Sequence, residues 1–245
     1  MSLLIPLILG YTLILLLVIL FYHRAQHAER LELLETNIHT AQVIGHAVAL
    51  RDHDTGNHNF RVAYYAARLG EALGLERTGI QGLMKGAFLH DIGKIGIPDA
   101  ILLAPRPLSG EEFTIMQRHV SLGVELIQEL PWFADALDVI HYHHERFDGS
   151  GYPVGLRGTQ IPLNARIFTV VDVFDALTSE RPYKPAFSYD EAMRFLKEKS
   201  GTFFDPAIID AFCPFAKALY DEVCHLEMAG IRARLEARRK MYFGV

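Results

Sequence analysis

Cysteine is scarce: Cys213 and Cys224 are the two in 245 residues, eleven positions apart and without a CxxC. That spacing argues against a disulfide framework and fits buried thiols in a reducing compartment. No stretch alternates polar and apolar residues as a half-buried strand does, and no glycine-rich loop of the phosphate-cradling kind occurs. There is no internal repeat. A net charge of −5 gives no general attraction for a nucleic-acid polymer. One absence is local: between Leu3 and Tyr22 there is no charged residue at all.

That run is dominated by Leu and Ile, with Pro6 and Gly10 as its breakers. Roughly 20 apolar residues are enough to cross the hydrocarbon core of a bilayer. A cleaved signal peptide is the competing reading, but no basic segment precedes the run and no small-x-small cleavage site follows Tyr22. Arg24 and Arg30 lie on its C-terminal side, so that side is expected to face the cytoplasm. The expectation is a single-pass anchor over residues 1–23, with the rest of the chain cytoplasmic.

Behind it, Leu31, Leu34, Ile38, Ala41, Gly45 and Val48 recur at alternating spacings of three and four. Such a seam over residues 24–47 is either a linker helix packed on its own domain or a short homodimeric coil. From Arg51 onward the pattern is helical nearly throughout. Ser109 with Glu112 and Ser188 with Glu191 have capping-box spacing, and Asp205-Pro206 places an N-cap before a proline. Loops are marked at residues 54–57, 97–98, 104–107, 148–153 and 155–162. The fold class is therefore all-α. Residues 225–245 carry Arg232, Arg234, Arg238, Arg239 and Lys240 against Glu227 and Glu236. They read as a basic, solvated terminal helix, with attraction to anionic lipid as the second reading.

Candidate ligands cluster in five stretches. His90 and Asp91 follow the apolar Phe88-Leu89, with Lys94 a turn later. Asp54 and His58 share a face if a helix starts near Gly56. His119 lies on the helix expected to open at Ser109, and His141, His143 and His144 close another. Asp172 and Asp175 lie in the very apolar stretch 167–177, where a carboxylate needs a partner or a cation. Any one of these has an ordinary structural explanation. All five together supply imidazole and carboxylate in excess of one ion, which implies two or three divalent metals.

The motifs, in order, are 50–58 (Leu-Arg-Asp to Asn-His), His90-Asp91-Ile92-Gly93-Lys94-Ile95-Gly96-Ile97-Pro98, 143–153 (His-His-Glu to Gly-Tyr-Pro), 172–178, Arg181-Pro182-Tyr183-Lys184-Pro185 and 201–206. This set, spanning about residues 48–212, resembles the HD-GYP family, the cyclic di-GMP phosphodiesterase branch of the HD superfamily. The resemblance implies an HD-type helical bundle over residues 48–224 and, the family being bacterial, an anchor in a bacterial inner membrane. It also implies metal ligands at His58, His90, Asp91, His119, His143, His144 and Asp172, with Asp91 bridging two ions. Some members place a glutamate for a third metal where this chain has the shorter Asp54. Val120 stands where the family usually has proline, which changes loop stiffness more than the ligand.

The implied chemistry is hydrolysis of cyclic di-GMP to pGpG or GMP by a metal-activated bridging water, with Lys94 neutralising a phosphate oxygen. Arg181 and Lys184 are expected to contact the substrate's phosphate and guanine, and Asp175 to orient a ligand histidine. Gly151, Tyr152 and Pro153 are expected to shape the pocket mouth. Ligands without thiolate favour iron or manganese. The competing functions are a catalytically weak cyclic-dinucleotide receptor and an HD phosphohydrolase with another nucleotide substrate.

Overall fold

The computed structural model describes residues 4–52, 57–180 and 185–244. Asp54, Arg181 and Lys184 lie outside the described residues. Among those described there are eleven α-helices, short 3-10 turns and no strand, so the all-α expectation holds.

Helix α1 (Leu4–Arg51) is continuous from the apolar run to the edge of the bundle. Its first part is not buried: the large side chains from Ile5 to Tyr22 are all exposed. Its last part behaves differently. Ile38, Ala41, Gly45 and Val48 are buried, because the seam lies on α3 (Arg77–Leu89). A Cβ at Gly45 would run into the carbonyl of Phe88, so glycine is what lets the two helices meet backbone to backbone. Of the two readings of the seam, these residues follow the one in which it packs on its own domain.

The bundle is built around α2 (Asn57–Ala72), which packs on α3, α8 (Leu163–Thr178), α10 (Pro206–His225) and α11 (Met228–Phe243). Its Ala63, Ala66, Ala67 and Gly70 are small enough for neighbours to approach on several sides, and all are buried. Helix α8 is rich in β-branched residues, yet Ile167, Phe168, Val170, Val171 and Phe174 are wholly covered. Burial of that many side chains outweighs a helix-propensity deficit of a few tenths of a kcal/mol each.

The remaining helices are short: α4 (Asp99–Leu102), α5 (Gly110–Gln117), α6 (His119–Ile127), α7 (Leu137–Tyr142) and α9 (Tyr189–Glu198). The capping boxes at Ser109 and Ser188 form, and Asp205 Oδ1 accepts from the Ala207 amide at 2.9 Å.

Three expectations change. The helix opened by Ser109 does not continue through His119: Arg118 forms a tight turn, its amide bonding to Ile115 O at 3.1 Å, and His119 starts α6. The basic C-terminal stretch is not a solvated tail. Ile231 and Leu235 bury it against α2, while Arg238 bonds Glu71 at 3.0 Å, Arg239 bonds Glu236 at 2.7 Å and Arg234 pairs with Glu222. Its charges are used within the domain. The thiols are free, but Cys213 is half-buried and Cys224 exposed.

Candidate metal centre

Five elements deliver the chemistry to one cleft. Helix α3 ends at Leu89, and the chain turns through His90 and Asp91 into a 3-10 turn over Ile92–Gly96. That turn lies directly on α6, where a Cβ at Gly93 would collide with the carbonyl of His119. Glycine at 93 therefore lets the His90-Asp91 pair and His119 come together. Helix α2 contributes His58, the end of α7 contributes His143 and His144, and α8 contributes Asp172 and Asp175.

The ligand atoms form two groups, each lying within 4.8 Å: Asp91 with His119, His143 and His144, and His58 with His90 and Asp172. Asp91 stands between them. Its Oδ2 is 3.1 Å from Nε2 of His90 in the other group, and its Oδ1 is 3.5 Å from Nε2 of His119. The rings of His90 and His143 meet edge to face at 5.2 Å. All seven side chains that the family resemblance picks out lie in these two groups.

The imidazoles are oriented from behind. Nδ1 of His90 lies 3.1 Å from Ala87 O, that of His119 2.8 Å from Met116 O, and that of His143 3.0 Å from Val139 O. His58 Nδ1 lies 2.7 Å from Asp175 Oδ2, and Arg61 Nε donates to the other oxygen of that carboxylate at 2.6 Å. With Nδ1 so engaged, Nε2 of each ring faces the cleft. Nε2 of His119 and of His143 is buried and has no hydrogen-bond partner among the described residues. A buried nitrogen without a partner is costly, and a divalent cation is the partner this donor set suits.

The electrostatics agree. Burial, reinforced by neighbouring histidines, holds His143 well below the usual imidazole range and brings His144 down to about 3, so both are neutral. Burial lowers His119 as well. For Asp91 burial acts upward, but Lys94 and His90 outweigh it and hold the carboxyl well below its usual range. Asp172 is lowered in the same way, against burial, by its hydrogen bond with His58. Burial would lower His58, yet Asp172 at 3.1 Å and Asp175 raise it to about 10; a cation at Nε2 would take that proton's place. Neutral imidazoles and ionised carboxylates are the ligating forms.

The cleft has a volume of about 220 Å³, with Gly45, Val48, Ala49 and Asp52 of the α1 end on one wall. Lys94 lies 2.9 Å from Asp91 Oδ2 and 2.5 Å from Asp52 Oδ2; despite burial, the two carboxylates raise its pKa, so it is a fixed positive charge. Tyr152 stacks on His144 with ring centroids 4.7 Å apart, and burial raises its phenol, so it stays protonated. A Cβ at Gly151 would strike the backbone of His144, Glu145 and Arg146. His141, though near in sequence, belongs to neither ligand group.

Several pairings in this arrangement have no signature in the sequence, even where a partner lies within a motif. Asp52 is 42 positions from Lys94, and Arg61 is 114 from Asp175. Buried Glu145 accepts from the amides of Val154 at 2.7 Å, Gly155 at 3.0 Å and Leu156 at 3.0 Å, which holds the glycine-rich loop beside the ligands. An acid directly after two ligand histidines is the one hint the sequence offers for it.

The HD domain family model matches residues 42–208. A cyclic di-GMP phosphodiesterase of Vibrio cholerae is 42% identical over 177 residues, covering 66% of this chain and 36% of that protein. The cyclic di-GMP phosphodiesterase response regulator RpfG of Xanthomonas campestris is 41% identical over 196 residues, covering 79% and 51%. The 3'3'-cGAMP-specific phosphodiesterase 2 of Vibrio cholerae is 37% identical over 181 residues, covering 73% and 35%. The chain thus spans between 35% and 51% of the length of these relatives. Among solved structures, a cyclic GMP-AMP specific phosphodiesterase of V. cholerae superposes with a TM-score of 0.61 at 19% identity, over 78% of this chain and 52% of that one. An HDG"Y"P protein of Bdellovibrio bacteriovorus gives 0.56 at 20%, over 75% and 64%. Both share the fold.

Proposed function

We propose that this chain, which belongs to the HD domain family, is a metal-dependent phosphodiesterase that hydrolyses cyclic di-GMP to pGpG, GMP or both. The observation that carries this reading is the pair of ligand groups joined through Asp91, with the Lys94 ammonium 2.9 Å from that same carboxylate. When bound, divalent ions supply Lewis acidity, making a water nucleophilic near neutral pH and offsetting the charge of phosphate oxygens.

The chain's own residues do the rest. His58, His90, Asp91, His119, His143, His144 and Asp172 would hold the ions, and Asp91, offering an oxygen to each group, would be shared. The His-and-carboxylate set without thiolate favours iron or manganese. Lys94 meets a non-bridging phosphate oxygen of the substrate and places a positive charge there as negative charge grows in the transition state. Tyr152 and Gly151-Pro153 close the side of the cleft and keep bulk water from the reacting phosphate. Arg181 and Lys184 take the substrate's outer phosphate and guanine, a role carried by sequence alone. Asp54 is assigned to a third ion on the same ground.

The apolar start of α1, with a mean hydropathy of 2.6 and none of it buried, supports a single membrane crossing with the bundle on the cytoplasmic side. A homodimer would use the exposed face of the linker helix, where Leu33, Val43 and Leu50 project, since the seam itself is covered.

Relatives named as 3'3'-cGAMP-specific favour a second substrate reading. The experiment is hydrolysis of each cyclic dinucleotide by metal-replete full-length protein, before and after chelation. The proposal expects cyclic di-GMP to be cleaved with the larger kcat/KM and chelation to abolish turnover. Preference for 3'3'-cGAMP would move the substrate assignment, and hydrolysis of neither would refute the activity.

A further inference from the structure

We infer that Arg51 and Asp52, at the end of α1, are positioning residues that aim Lys94, an inference that rests on the phosphodiesterase reading above. Arg51 grips the C-terminal half of the turn that carries Lys94. Its Nη1 donates to Lys94 O at 2.6 Å, and its Nη2 donates to Ile97 O at 2.6 Å and to Asp99 Oδ1 at 2.7 Å. Nε adds a bond to the same Asp99 oxygen at 3.2 Å. One planar guanidinium thus ties the backbone at 94 and 97 to the Asp99 carboxylate, which a lysine's single ammonium cannot do.

Asp52 acts on the other end of the side chain. Lys94 has a flexible four-carbon stem, and its ammonium is shared between Asp52 at 2.5 Å and Asp91 at 2.9 Å. Without Asp52 the nearest anion is Asp91, a residue assigned to the ions. The ammonium would settle against it, away from the position where a phosphate oxygen must be met. Asp52 holds the charge at the cleft wall formed by the α1 end. Because Gly45 seats α1 on the Phe88 carbonyl, two residues before His90, the hold on Lys94 and the ligand pair share one frame. The same helix continues without a break to the apolar run.

The test is a double-mutant cycle on kcat with full-length protein, using Arg51→Gln and Asp52→Asn, each alone and combined with Lys94→Ala. Metal per chain and melting temperature are read in parallel. We expect each single substitution to keep the metal and to lower kcat about 10-fold or more, with KM changing less, as a small misplacement of a reacting group does. In the Lys94→Ala background the same substitutions should change kcat by no more than about twofold, since residues acting through a common group are not additive. Arg51→Lys should recover part of the loss. Asp52→Asn, which leaves the Arg51 clamp in place, carries the test if Arg51→Gln does not fold. Loss of metal with the rate, or an equal penalty with and without Lys94, would overturn the inference and leave the α1 end a structural support. An unsubstituted chain that turns over no cyclic dinucleotide refutes the activity itself, a separate result because that protein is assayed alongside.

Discussion

Oδ2 of Asp175 stands 2.7 Å from Nδ1 of His58, and this contact turns the opposite nitrogen of the ring toward Asp172 at 3.1 Å. A carboxylate behind a ligand histidine fixes the ring and raises its basicity. Asp175→Asn keeps the size and loses the charge. Metal affinity is expected to fall about 10- to 100-fold, measured by competition against a chelator of known affinity. Unchanged affinity would mean that the contact serves the fold and not the ion.

Glu145 presents the complementary case, a buried carboxylate without a ligand role. It accepts from three successive loop amides, and in Glu145→Gln one of them faces an amide nitrogen instead of an oxygen. The expected cost is about 1–3 kcal/mol of stability, seen as a lower melting temperature at unchanged metal content. A melting temperature equal to that of the unsubstituted protein would show that the loop finds other partners.

Much of this was legible in the sequence, and for identifiable reasons. The caps at Ser109, Ser188 and Asp205 are local contacts within a few residues, so spacing reveals them. Buried Asp175 and half-buried Asp172 stood out because a carboxylate in so apolar a run needs a cation or a donor. What could not be read were pairings across the fold: Lys94 with Asp52, Asp175 with Arg61, Glu145 with the loop amides. No periodicity marks such contacts. The docking of α11 was hidden for a different reason. Its basic residues dominate the composition, and the apolar stripe of Met228, Ile231, Leu235 and Tyr242 is interrupted where Arg238 and Arg239 stand.

Asp54 separates two ions from three. If it is a ligand, Asp54→Ala lowers the metal content by up to one ion per chain and leaves the pair joined through Asp91. If it only caps the helix that starts at Asn57, the change costs about 1 kcal/mol and no metal. Elemental analysis of both purified proteins decides between the two.

Deletion of residues 1–24 tests the membrane reading. The truncated chain is expected in the soluble fraction and the full chain in the membrane fraction. A full chain that stays soluble without detergent would contradict it.

The most direct test of the central claim compares metal content and cyclic di-GMP turnover in Asp91→Ala and Lys94→Ala. Asp91 touches both ligand groups, so its loss should strip metal and abolish turnover together. Lys94 is assigned to the substrate's phosphate, so Lys94→Ala should keep the metal and lose about 10²-fold or more in kcat. An Asp91→Ala protein that retains full metal occupancy, or a Lys94→Ala protein with unchanged turnover, would contradict the account.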